Sequence, residues 1–207
     1  MNTIMSFGLG YFIGCISPAA WISKKNNVNL KEEGTGNLGA TNTAIILGPK
    51  AGIFVLLFDV LKSFFASKVA RILFPQLVVA NFIAGIGVIL GHCFPVFMHF
   101  QGGKGLAAFG GIILEYNPWF FLIIIVSGVA LATLLNTGVA APILGCVAFP
   151  LLVWSQPHDG SALLFALITS GIIFALHWTN MIKAITHNDV ISSREFYEDV
   201  LFKNRDK

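Results

Sequence analysis

The sequence predicts an all-α integral membrane protein: one membrane-embedded domain over residues 1–207, with about seven transmembrane helices and a short or re-entrant half-helix near the centre. Three observations predict it. Of the 207 residues, 56% are hydrophobic and 11% charged, where about a quarter of a soluble domain is charged. Apolar runs long enough to span a bilayer recur along the chain. Basic residues concentrate on one predicted face. With so little polar mass, any chemistry belongs to loops and helix ends. The net charge of +3 is too small to argue for a nucleic-acid partner. Cys15, Cys93 and Cys146 lie in or beside apolar runs without CxxC pairing, which speaks against disulfide or zinc use. The first apolar run is not expected to be a cleavable signal, because Lys24 and Lys25 follow it.

Taken in order, residues 4–22 read as a first span. Gly10 and Gly14 form a GxxxG pair for close helix contact, and Ser17-Pro18 predicts a kink. Residues 23–43 are polar and contain Gly34-Thr35-Gly36-Asn37-Leu38-Gly39-Ala40-Thr41-Asn42, either a turn or an anion-binding loop. Residues 48–70 span again and carry Asp59 and Lys62 on one helix face. Charges at that depth face a bundle interior or a wet cavity, and a mutually neutralising pair is the favoured reading. Residues 76–98 form the next helix, with Gly87 and Gly91 as a second small-residue pair and Pro95 at its end.

The centre of the chain is Gly91 through Gly105. Lys104 is the only charged residue between Arg71 and Glu115. With Gly102, Gly103 and Gly105 around it, the loop opens an apolar helix. Backbone N–H groups clustered at a helix start attract an anion, and a lysine adds a full charge. The alternative is a glycine turn with a lysine snorkelling to the membrane surface. A Walker loop is excluded by spacing, and Leu106 replaces its Ser/Thr. The apolar run 105–114 is about 15 Å long as a helix, half the hydrocarbon core, so it starts deep or is re-entrant. Residues 117–135, 139–154 and 161–182 complete the spans, with a turn at 155–160 containing His158 and Asp159. Trp21, Trp119, Trp154 and Trp178 fall near predicted helix ends.

An odd number of spans separates the termini. With the C-terminus inside, Lys24, Lys25, Lys31, Lys50, Lys104, Lys183, Arg194, Lys203, Arg205 and Lys207 are cytoplasmic, and Lys68 and Arg71 lie at the outer edge. The same topology brings three polar clusters to one face: the Thr35–Asn42 loop, the Gly102–Lys104 loop, and His177 with Asn180 on one side of the last helix.

These clusters resemble the motifs of the bacterial acyl-phosphate:glycerol-3-phosphate acyltransferase family (PlsY-like). Gly34 to Asn42 resembles GSGNxGATN. Gly91 to Ala107 resembles GHxFPVFxxFxGGKGxAT, with Ala108 for the final Thr. His177-Trp178-Thr179-Asn180 resembles HxxN. The resemblance covers nearly the whole chain. It implies transfer of a fatty acyl group from acyl phosphate to the 1-hydroxyl of glycerol 3-phosphate, giving lysophosphatidic acid and phosphate in phospholipid biosynthesis. It assigns catalysis to Lys104, His177, Asn180 and Thr35. It assigns substrate binding to Gly36, Asn37, Gly39, Thr41, Asn42, His92, Gly102, Gly103, Gly105 and Lys183. The implied partners are glycerol 3-phosphate, long-chain acyl phosphate and membrane lipid, with no metal and no cofactor. The implied location is the bacterial plasma (inner) membrane, multi-pass, with the N-terminus outside and the C-terminus cytoplasmic.

The chain departs from the family pattern at several positions. Ile45 stands where an arginine is common. Trp178, Lys183, His187 and Asp189 replace Arg, Arg, Gly and Glu, and an Arg-Tyr-x-Ser pattern is missing around Asn136–Val139. Lysine replaces an arginine fork poorly. The rival readings are a membrane anion transporter or channel, without an inverted repeat to support it, and an inactive homologue that binds lipid phosphate.

Overall fold

The computed structural model describes residues 1–157 and 160–186. The expected turn residues His158 and Asp159 lie outside this range. So do His187, Asp189, Arg194, Lys203, Arg205 and Lys207. Within it the chain is all-helical: α1 (Asn2–Gly14), α2 (Pro18–Lys25), α3 (Ala40–Leu47), α4 (Pro49–Leu73), α5 (Ala80–Cys93), α6 (Leu106–Tyr116), α7 (Pro118–Leu134), α8 (Ala140–Trp154) and α9 (Gly160–Ile185). Three described stretches are both long and apolar enough to cross a membrane: Asn2–Lys25, Ala80–Met98 and Gly160–Ile185. The 25-residue α4 has the length but carries Asp59, Lys62 and Lys68 in its middle. Helices α6, α7 and α8 are apolar and shorter.

The expected kink at Ser17-Pro18 is a full break between α1 and α2. Proline has no N–H and disfavours helical backbone in the residue before it. Ser17 is accordingly extended, with φ −112° and ψ 103°, and its hydroxyl accepts the Ala20 N–H at 3.2 Å. The break leaves carbonyl groups of Gly14 and Ile16 without helical partners.

The two glycine pairs meet each other. A Cβ on Gly10 would lie 2.0 Å from the Ala84 carbonyl oxygen, and one on Gly14 2.4 Å from that of Val88. From the other side, a Cβ on Gly87 would lie 2.4 Å from the Phe7 carbonyl oxygen and one on Gly91 2.1 Å from that of Tyr11. Helices α1 and α5 therefore touch backbone to backbone, the contact small residues permit in lipid.

Helix α6 packs against α4 and α5. Gly111 packs on Val60 and Ser63 of α4, and Gly85 of α5 meets Ile112. At its far end Glu115 pairs with Arg71 of the last turn of α4 at 3.1 Å and accepts from Asn81 of α5 at 3.0 Å. Helix α6 thus runs beside only the second half of α4. The first turns of α4 are covered instead by α3, where Gly52 packs on Ala44 and Ala40. The main core lies between α5, α6, α8 and α9, with Phe109 and Phe149 edge to face at 5.6 Å.

Candidate active site

A cavity of about 1660 Å³ opens between α3, α4, α6, α7, α8 and α9. Its polar end is built from the three predicted clusters. Thr35, Asn37, Gly39 and Thr41 come from the first loop and α3. Lys104 and Gly105 come from the central loop, and His177, Asn180 and Lys183 from the last turns of α9. His92 reaches it from α5. The other end is apolar, lined by Ile113, Phe121, Ile124, Ile125 and Val129 among others.

The central loop is shaped by backbone bonds. After Pro95 the chain makes a tight turn, with His99 and Phe100 at φ 53° and 59°. It then doubles back on α5: the Gly102 N–H donates to the Cys93 carbonyl at 3.0 Å and the Gly103 N–H to that of His92 at 3.1 Å. Gly105 follows at φ +81°, the left-handed region that favours glycine, and launches α6. Gly102 and Gly103, expected to bind substrate, are placed differently from Lys104. Their amides are bonded within the chain and neither residue lines the cavity; they aim Lys104. The N–H groups free for an anion are those of the first turn of α6, which have no carbonyl four residues back.

Lys104 donates to Asn180 Oδ1 across 76 residues of sequence. Burial first, then the positive charge of Lys183, pushes the Lys104 ammonium below the ordinary lysine value. His177 is buried, and its Nδ1 lies 2.9 Å from the carbonyl of Ile173, one turn earlier on α9. A carbonyl only accepts, so Nδ1 carries the proton and Nε2 is left as an acceptor.

Two further expected site residues lie off the cavity. Asn42 is fully buried and does not reach the cavity. Its Oδ1 accepts the Thr35 N–H at 2.7 Å, and its Nδ2 donates to the carbonyls of Leu30 at 2.8 Å and Glu33 at 3.1 Å. It clasps the loop. Gly36 also lies off the cavity, at a turn of φ +69°. Thr41 and Asn42 belong to the first turn of α3 and not to a loop. Among the cavity residues that sequence reasoning did not assign to the site, two carry polar groups of note. Asp59 lines the wall, and the cost of a carboxylate at that depth was the signal. Thr137, in the α7–α8 turn, presents a buried Oγ1 without a hydrogen-bond partner among the described residues; no motif marks it. Ile45 and Trp178 do not line the cavity, while Lys183 does.

The fold and the cavity define an all-helical, multi-pass integral membrane protein with an intramembrane chamber, cationic at one end and apolar at the other. Comparison with known proteins gives the family. Residues 4–187 match the family model described as glycerol-3-phosphate acyltransferase. A glycerol-3-phosphate acyltransferase of Thermoanaerobacter sp. is 34% identical over 182 residues, covering 87% of this chain and 91% of that one. One of Streptococcus agalactiae is 42% identical over 127 residues, covering 61% of this chain and 59% of the relative's length. The crystal structure of PlsY, an integral membrane glycerol 3-phosphate acyltransferase, in its glycerol 3-phosphate form superimposes with a TM-score of 0.84 at 27% identity, covering 94% of this chain and 98% of that one. Its lysophosphatidic acid form gives 0.83 at 26% identity, covering 95% and 98%. The chain belongs to the glycerol-3-phosphate acyltransferase family.

Proposed function

We propose that this protein transfers a long-chain acyl group from acyl phosphate to the 1-hydroxyl of glycerol 3-phosphate, releasing lysophosphatidic acid and phosphate. One observation carries the reading: Lys104, His177, Asn180 and the Thr35 loop, far apart in sequence, meet at the polar end of a cavity whose other end is apolar. The relatives solved with glycerol 3-phosphate and with lysophosphatidic acid support the acceptor and the product.

The residues divide the work by chemistry. Both substrates carry phosphate, and the site offers Lys104, Lys183, the first turn of α6 and the hydroxyls of Thr35 and Thr41. The acyl tail fits the apolar end. The hydroxyl oxygen of glycerol 3-phosphate attacks the acyl carbonyl carbon. A C–O ester bond forms, and the bond from that carbon to the phosphate oxygen breaks. Phosphate leaves with the electron pair. The hydroxyl proton goes to His177 Nε2, the open acceptor, or to the departing phosphate. Asn180, held by Lys104, orients its amide N–H toward the reacting oxygens. Because the donor arrives activated, alignment and charge stabilisation are the protein's main contribution.

Orientation follows from charge. Lys104 and Lys183 line the cavity, and the span count puts Lys24, Lys25, Lys31 and Lys50 on the same face, with Lys68 and Arg71 on the opposite one. The mouth faces the cytoplasm, the N-terminus lies outside the cell and the C-terminus inside. Membrane lipid surrounds the bundle and receives the product.

The test is reconstitution. Purified protein in lipid, given acyl phosphate and labelled glycerol 3-phosphate, is expected to form lysophosphatidic acid identified by mass. Absence of product from folded protein would leave an inactive phosphate-binding homologue, and anion flux in liposomes would leave a transporter.

A further inference from the structure

The inner wall of the cavity carries a charged cluster with no part in the reaction as described. Asp59 and Lys62 of α4 and His92 of α5 are 1%, 7% and 6% exposed. Lys62 Nζ lies 2.6 Å from Asp59 Oδ1 and 3.1 Å from His92 Nδ1. It also donates to the carbonyls of Ile16 at 2.7 Å and Gly14 at 3.2 Å, the two freed by the break before Pro18. An ammonium group has donors and no acceptor. A proton on His92 Nδ1 would set two donors against each other at 3.1 Å. Its other neighbour, Asp59 Oδ1, is 3.4 Å away. That is beyond the usual N–H···O distance, and the carboxylate oxygen is much nearer the Lys62 ammonium, its ion-pair partner. Nδ1 is therefore the acceptor, and the neutral ring keeps its proton on Nε2. The Nε2 edge lies against Gly103, where a Cβ would fall 2.3 Å from it. Gly103 immediately precedes Lys104.

We infer that Lys62 is a positioning residue that fixes His92 as an Nε2–H donor on the cavity wall, so that the site holds two neutral histidines of opposite sense, His92 donating and His177 accepting. The anchor is threefold. The three N–H groups of Lys62 serve the Gly14 and Ile16 carbonyls freed by the α1–α2 break and His92 Nδ1, while Asp59 balances the charge at ion-pair distance. The donor it creates suits an anionic oxygen of the phosphorylated donor, beside the Lys104 charge. That last assignment rests on the proposed acyl transfer; the tautomer does not.

The test has a spectroscopic and a kinetic arm. Nitrogen NMR of ring-labelled histidine in the full-length protein in lipid, with His92 assigned by its loss in His92→Gln, is expected to show the proton on Nε2. Lys62→Met is expected to shift that ring toward the Nδ1–H form or the imidazolium. It should also lower kcat about tenfold, as misplacement of a reacting group does, with the KM for glycerol 3-phosphate little changed. His92→Gln keeps an N–H donor and should retain more activity than His92→Leu, by about tenfold or more. A wild-type ring protonated on Nδ1 overturns the assignment. So does equal activity of His92→Gln and His92→Leu, or a Lys62→Met protein with unchanged ring and rate. If Lys62→Met does not fold, the wild-type spectrum and the two His92 variants decide. If the wild type shows no acyl transfer, the proposed function falls while the spectrum still decides the tautomer.

Discussion

Lys104→Met should nearly abolish turnover while leaving the fold intact. Methionine keeps the unbranched stem and removes the charge and its three donors. The structure gives Lys104 a defined partner, Asn180 Oδ1, and a loop held by the Gly102 and Gly103 amides, none of which needs the ammonium to fold. Lys183 remains as a second cation, but it stands on the exposed last turns of α9. Losing one charge-assisted contact in a partly desolvated site removes about 3 kcal/mol of transition-state stabilisation. That corresponds to roughly a hundredfold in rate. Asn180 also loses the partner that orients it, which pushes the effect upward. The assay is the initial rate of lysophosphatidic acid formation in lipid, with thermal unfolding and elution volume as controls on folding. Near-native turnover from a folded Lys104→Met protein would return the central loop to a glycine turn with a snorkelling lysine.

Three other outcomes follow from the same structure. In the proposed reaction Lys104 acts as a cation, and its pKa is lowered, by burial and then by Lys183, so activity should fall with rising pH below the ordinary lysine range; Lys183→Met should move that alkaline limb to higher pH in a pH–rate profile. Gly91→Val would drive side-chain atoms into the Tyr11 backbone and should cost at least about 1–3 kcal/mol, read as a lower unfolding temperature; unchanged stability would mean that α1 and α5 part without cost. Ile45 lies one turn beyond the cavity residue Thr41 on α3, and hydrogen bonds to charged groups are worth roughly 1.5–3 kcal/mol each; Ile45→Arg should lower the KM for glycerol 3-phosphate about ten- to a hundredfold with the dependence on acyl phosphate little changed, and a raised KM would place the acceptor phosphate elsewhere.

What could be read from the sequence was whatever depends on local rules. Glycines four apart announced close helix contacts, and those of α1 and α5 proved to be each other's partners. Pro18 and Pro95 announced an interruption and an end. The three polar clusters could be placed on one face by counting spans. What could not be read depends on partners distant in the chain. Asn42 looks like any polar residue of an anion loop, and only the carbonyls of Leu30 and Glu33 show that it ties the loop to itself. The Gly102 and Gly103 amides look free until the chain doubles back on α5. Asp59 and Lys62 were visible as a pair, but the third member, His92, is brought by another helix. The two carbonyls that complete the cluster exist because Pro18 interrupts the first span.

Helix α6 begins partway along α4, so that Gly111, five residues in, already packs on Val60 and Ser63. That start sets the units in which the two substrates are counted. In the proposed reaction a donor with a hydrocarbon tail comes from within the leaflet, so its supply is a mole fraction of the bilayer. A small phosphate ester comes from water, and its supply is a molarity. Diluting the bilayer with inert lipid, at fixed bulk concentrations, should slow the reaction through the first substrate alone. In that reaction the product, anchored by its acyl chain, is expected to leave by sideways diffusion within one leaflet, without passage through water.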